Sequence, residues 1–216
     1  MKTYTTLFAT YTTLLVSALL LSSCAKDPDL PKDDLEDGYS TVVRDLAGDT
    51  QGAMGDHALG KKKKVFDAFL FCFRDQQQLW LHNASDSARW LQSERWDLAF
   101  TGPYNSELFV NNGDDPYNPG FEGLGKAQVL VVFKPYAQVV EAPTAAAFER
   151  SEIAKIGWAN YPEEAGWFFY SMDSHIMIPL KNKTYLIKTN AGKYAKLELL
   201  NAYQGNPPEV TNLNWP

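Results

Sequence analysis

The run TYLIKT, then Asn190-Ala191-Gly192, then KYAKLELL most restricts what this chain can fold into. Two stretches of period-two apolar residues flank a short loop whose glycine can take a positive φ, which predicts an antiparallel β-hairpin. Ala195, Leu197 and Leu199 fall on one face, and Lys196 and Glu198 on the other. One side of the hairpin is therefore expected to be buried and the other wetter. Shorter strand signals precede it. VFDAFLFCF (Val65 to Phe73) is aromatic throughout and predicts a strand buried on both sides, followed by a second around Trp80 in LWLH. RWDLAF alternates, with Trp96, Leu98 and Phe100 on one face, until Gly102-Pro103 breaks the ladder. LFVNNGDDPYNPG supplies a strand and a long turn, and AQVLVVF (Ala127 to Phe133) another strand, stopped by Pro135. TAAAFE after Pro143 allows one helical turn, and nothing amphipathic continues it. The expectation is a single all-β domain, an antiparallel sandwich or flattened barrel.

The N-terminus reads as an address rather than as fold. Lys2, an apolar core near Leu14 to Leu21 and the box Leu21-Ser22-Ser23-Cys24 predict a lipoprotein signal over residues 1–23, with Cys24 as the lipidated first mature residue. The apolar run is shorter than the ~20 residues a membrane span needs. Its acyl anchor would hold a domain at the membrane surface without crossing it. Residues 24–60 are acidic and bear proline and glycine, with no apolar period, and are expected to form a disordered tether to a domain over 61–216. Lys61 to Lys64 read as a solvated edge. A net charge of -6 with no further basic cluster argues against a nucleic-acid partner. With Cys24 committed to lipid, Cys72 has no intramolecular partner and is expected as a small buried side chain.

Common hydrolase, zincin, phosphate-loop and dinucleotide motifs are missing from the sequence, and no enzymatic activity is expected. His57, His82 and His175 lack the spacing of a zinc site. Glu163-Glu164 reads as a solvated loop, and Asn111 to Asp115 as a turn without calcium-loop spacing. What remains is YSMDSHIM, where Met172, His175 and Met177 sit together. If Tyr170 to Ile178 stays extended, Met172 and His175 point to opposite faces; a turn at Asp173-Ser174 would bring them to one side. Met172 serves equally as gap-filling core, and His175 as a hydrogen-bonded strand residue.

The lipobox with its acidic tether, the W-D-L-A-F strand at Trp96 to Phe100, and the block GWFFYSM…TYLIKT-NAGKYAKLELLNAY together resemble the HmuY family of haem-binding outer-membrane lipoproteins of Bacteroidetes. The resemblance covers most of Val65 to Tyr203. It implies an all-β fold that clasps haem and passes it to an outer-membrane receptor, tethered through its lipid at the cell surface. It also implies axial ligands drawn from histidine or methionine, one of them just after the Gly-Trp strand. Met172 stands in that register, with His175 as a further candidate, and Tyr136, Trp167, Tyr170 and Met177 are candidate pocket residues. A thioether is a soft haem ligand that favours ferrous iron. No metal is expected beyond haem iron. The family's other ligand comes from a region matching GLGKAQVLVVFKPYAQVV, which holds neither histidine nor methionine; Lys126 and Tyr136 are nearest. Family members usually close with a further aromatic strand, where this sequence runs NLNWP. The alternative is a non-haem HmuY-like surface binding or assembly module.

Overall fold

The computed structural model describes residues 35, 37–55 and 60–210. The signal segment, Cys24, His57 and the tether residues 24–34, 36 and 56–59 lie outside the described residues. The chain divides into two units, Met1–Val42 and Val43–Pro216. In the first, Asp37 Oδ1 accepts hydrogen bonds from the backbone N–H of Tyr39 and Ser40. The second carries the fold.

That fold is built of antiparallel sheets. Strands β1 (Phe69–Phe71), β2 (Gln78–Trp80), β3 (Leu98–Thr101) and β4 (Glu107–Val110) form a sheet in the order β2-β1-β3-β4. β5 (Gln128–Val132), β8 (Thr184–Lys188) and β9 (Tyr194–Leu197) form a second, in the order β5-β8-β9. β6 (Phe168–Ser171) and β7 (Ile176–Pro179) make a separate hairpin. The first two sheets turn one face each to a common core. Phe71, Leu98, Leu108 and Val110 meet Val129, Tyr185 and Ile187 there, and the hairpin adds Phe168, Ile176 and Met177. Strand alternation sends Leu70, Ala99 and Phe109 to the opposite face of the first sheet, so β1 is buried on both sides as its aromatic run predicts. Cys72 follows it as a buried free thiol.

The expected β8–β9 hairpin is present, with Gly192 at φ +70 in its loop and Ala195 and Leu197 packed on the main core. Lys196 lies on the other face, its Nζ donating to the carbonyls of Tyr136 and Val139 at 3.0 and 3.1 Å. TAAAFE forms the short helix α2 (Ala145–Glu149), which buries Phe148 beside Leu186 on that face. Among the described residues no helix is long and apolar enough to cross a membrane.

Three features depart from expectation. Trp96 does not share a face with Leu98 and Phe100. The ladder begins at Leu98, and Trp96, just before it, packs with Ala99 and Leu70 on the opposite side. Asp97 holds the bend, its Oδ2 accepting the Phe73 N–H at 2.7 Å. A helix, α1 (Ala84–Trp90), occupies NASDSARW, where no apolar period announces one. Asn83 nucleates it as N-cap, its Oδ1 accepting from the N–H groups of Ser85 and Asp86.

The third departure corrects the tether. Residues 45–53 are docked rather than free. Asp45 Oδ1 accepts from Gly205 N–H, Leu46 packs on the main core, and Ala47 O accepts from Gln78 Nε2. Asn105 is the hub: its Oδ1 accepts the Asp49 N–H at 2.7 Å, and its Nδ2 donates to Asp67 O and Phe100 O. Polar capping, which has no apolar period, holds this segment. Asn105→Ala is expected to lower stability by about 2 kcal/mol, because three partly buried partners lose their hydrogen bonds to a buried side chain. It should also open residues 45–55 to limited proteolysis; unchanged cleavage would show that the segment is held by other contacts.

Candidate functional site

The β6–β7 hairpin carries the side chains the sequence singles out. Its register pairs Ser171 with Ile176, so Met172, Asp173, Ser174 and His175 form the connecting loop. Ser174 N–H and Oγ both reach Ser171 Oγ, at 3.3 and 2.8 Å, which tightens the turn. His175 closes it in the left-handed region at φ +56, where histidine is more tolerated than most residues. The loop replaces the extended reading of Tyr170 to Ile178: Met172 and His175 stand at the two ends of one turn. Met172 is 66% exposed and is not sealed in the core.

Below the loop, Tyr170 Oη lies 3.2 Å from His175 Nδ1, and their rings are 6.2 Å apart. Trp158 meets Tyr170 edge-on at 6.3 Å between centroids and is itself 52% exposed. The segment holding Trp158 is stitched into the fold on both sides. Ile156 exchanges backbone hydrogen bonds with Leu108 on β4, and Gly157 O and Ala159 N–H bond to Trp167 and Phe168. Gly166 is required here, since a Cβ would lie 2.5 Å from Gly157 O.

Two more phenols converge on this place. Burial, and then the proximity of Tyr170 and Tyr203, raise the Tyr104 pKa. The Tyr203 phenol is likewise raised by burial first, against the lowering effect of the Met177 N–H it accepts at 2.9 Å, with Tyr170 adding to the rise. Tyr104 comes from the turn Pro103–Asn105 and Tyr203 from the C-terminal segment. Spacing along the chain does not link them to Tyr170, and only the final tyrosine of LLNAY carried any earlier signal.

The other candidates are placed differently. Trp167 and Met177 are each 5% exposed and belong to the core beneath the hairpin; Trp167 Nε1 donates to Ser106 O at 2.8 Å. Tyr136 is not brought to the hairpin. It lies under Lys196, whose Nζ sits 3.8 Å from the ring centroid, on the face of the β5-β8-β9 sheet turned away from the main core. Lys126 pairs with Asp114 at 2.5 Å. Glu163 and Glu164 are exposed, and the Asn111 to Asp115 stretch is a turn in which Asn112 Oδ1 accepts from Asp114 N–H. Among the described residues no group of three His, Cys, Asp or Glu side chains is placed to hold a metal ion. The donor set at the hairpin is thus a thioether, an imidazole and a phenol. Each of these is an axial-ligand type for haem iron, so the residues fit that group chemically.

No protein-family profile, curated protein or solved structure matches this chain.

Proposed function

We propose that this chain is a lipid-anchored surface protein that captures haem at the β6–β7 hairpin and delivers it to an outer-membrane uptake system, as its resemblance to the HmuY family implies. The observation that carries the reading is the exposed Met172 thioether on a tight loop beside the Tyr170–His175 pair. A short turn closed on paired strands holds donors in place at small entropic cost, and Trp158 offers a flat apolar flank for a macrocycle. The lipobox at Cys24 and the acidic stretch behind it support placement at the outer surface.

Haemin titration into the purified protein is expected to give a shifted Soret band. Under reducing conditions capture should tighten, because neutral sulfur prefers ferrous iron. Met172→Ala should weaken the ferrous complex about tenfold or more, a range common for lost metal-site contacts. A spectrum identical to free haemin would end the haem reading. Equal ferrous affinity in Met172→Ala would remove the sulfur from it.

A second reading is a non-haem surface module of similar fold. The outer face of the same hairpin favours it, with Phe169 and Ile178 paired across the strands and both exposed, and Tyr161 exposed nearby in sequence. Such an apolar face suits a protein partner.

A further inference from the structure

We infer that the oxygen of Tyr170 is the donor to ferric iron at this hairpin, with His175 as its positioning residue; the inference rests on the haem reading above. The 3.2 Å contact between Tyr170 Oη and His175 Nδ1 is the basis. A phenol is a poor ligand while it keeps its proton, and a hydrogen-bonded imidazole gives that proton a place to go. When iron binds, the O–H bond breaks, the Oη–iron bond forms, and Nδ1 takes the proton, so no electron changes hands. Phenolate is a hard anionic donor, used for ferric haem elsewhere in proteins, whereas the Met172 thioether is soft and suits ferrous iron.

Three further observations favour Tyr170 over its neighbours. It stands within a paired strand, opposite Met177, so its backbone is fixed. Trp158 abuts its ring and limits rotation. Tyr203, by contrast, is buried, and its hydroxyl is committed to the Met177 N–H. His175 sits in the left-handed region with its Nδ1 already 3.2 Å from the phenol oxygen, so the pair is assembled before any ligand arrives.

The test is a titration of ferric haemin into the full-length protein and two variants, Tyr170→Phe and His175→Asn, read by absorption and resonance Raman spectroscopy. Asparagine tolerates the same left-handed backbone, and phenylalanine removes only a hydroxyl, so circular dichroism should match wild type in both. Wild type should show a phenolate-to-iron charge-transfer band. Tyr170→Phe should lose that band and bind ferric haem more weakly. His175→Asn should retain the band with ferric affinity reduced about tenfold, as for an outer partner of a ligand. A shifted Soret band without any phenolate signature in wild type, or a Tyr170→Phe spectrum equal to wild type, overturns the inference and leaves haem capture standing. No Soret shift in wild type overturns both.

Discussion

Trp96→Ala is expected to cost about 4 kcal/mol of folding stability, the size found when a large buried aromatic is truncated to alanine. Trp96 has no solvent exposure and heads the fully buried side chains by volume. It fills the space between the outer face of the first sheet, the end of α1 and the loop beyond β4. Leu70, Ala99 and Phe109 pack it from the sheet, and Trp90 and Leu91 from the helix. From the loop, Gly120 approaches so closely that a Cβ there would sit 2.8 Å from the indole. Three separate elements line the cavity, which limits how far any one can collapse into it. Leu91 O also loses the indole N–H that reaches it at 3.2 Å. Trp96→Phe should recover most of the volume but not this bond, and so cost only about 1–2 kcal/mol. Urea unfolding followed by circular dichroism checks both, with an unchanged m-value as the sign that the folded surface is intact. A loss below about 1 kcal/mol for the alanine variant would mean that the site collapses and this second core is soft. The strands of the β6–β7 hairpin pack on the other core, so haemin binding by the folded variant should match wild type.

Residue patterns announce some of these elements and not others, for physical reasons. The β8–β9 hairpin is legible because two period-two runs and a loop glycine agree, and Gly192 does take the positive φ such a loop needs. β1 is legible because Phe69, Leu70 and Phe71 leave no polar face to expose. α1 is not legible, since none of its residues is fully buried, Trp90 alone among them packs on the second core, and its start is set by one capping side chain, Asn83. The docking of residues 45–53 is equally hidden: hydrogen bonds from Asn105, Asp45 and Asp49 fix it without any apolar rhythm. At the site, Tyr170, Met172 and His175 fall together along the chain and could be grouped at once. Their geometry could not, because the face each side chain takes depends on whether residues 172–175 extend or turn. Tyr104 and Tyr203 reach the same place from distant segments, and only the folded topology joins them.

Lys183→Met is expected to lower stability by about 3 kcal/mol, because two carbonyls are left without donors in a largely water-excluded place. Lys183 is 3% exposed, and its Nζ donates to Glu164 O at 2.5 Å and Gly166 O at 2.6 Å. Tyr185 Oη donates to the carbonyl between them, on Ala165, at 2.8 Å. Three successive carbonyls are thus held by β8 and the residue before it, just where the chain enters Trp167 and β6. Methionine keeps the length and relieves the burial of a charge, so the loss measures the hydrogen bonds with little packing contribution. Burial lowers the Lys183 pKa, against the raising influence of Glu164 and then Glu163. Between that lowered value and the ordinary lysine value the unfolded chain binds more protons than the folded one. The contribution of Lys183 is therefore greatest above the ordinary lysine pKa and falls away as pH drops through the lowered folded value. The stability gap between wild type and Lys183→Met should accordingly widen as pH rises through that window, and a gap independent of pH would contradict the proposed cause. Loosening the 160–166 loop also frees the entry to the hairpin. Hydrogen exchange at Phe168 to Ser171 should accelerate in Lys183→Met beyond what the global destabilisation explains, and equal acceleration everywhere would show that the lysine supports the whole fold rather than this loop.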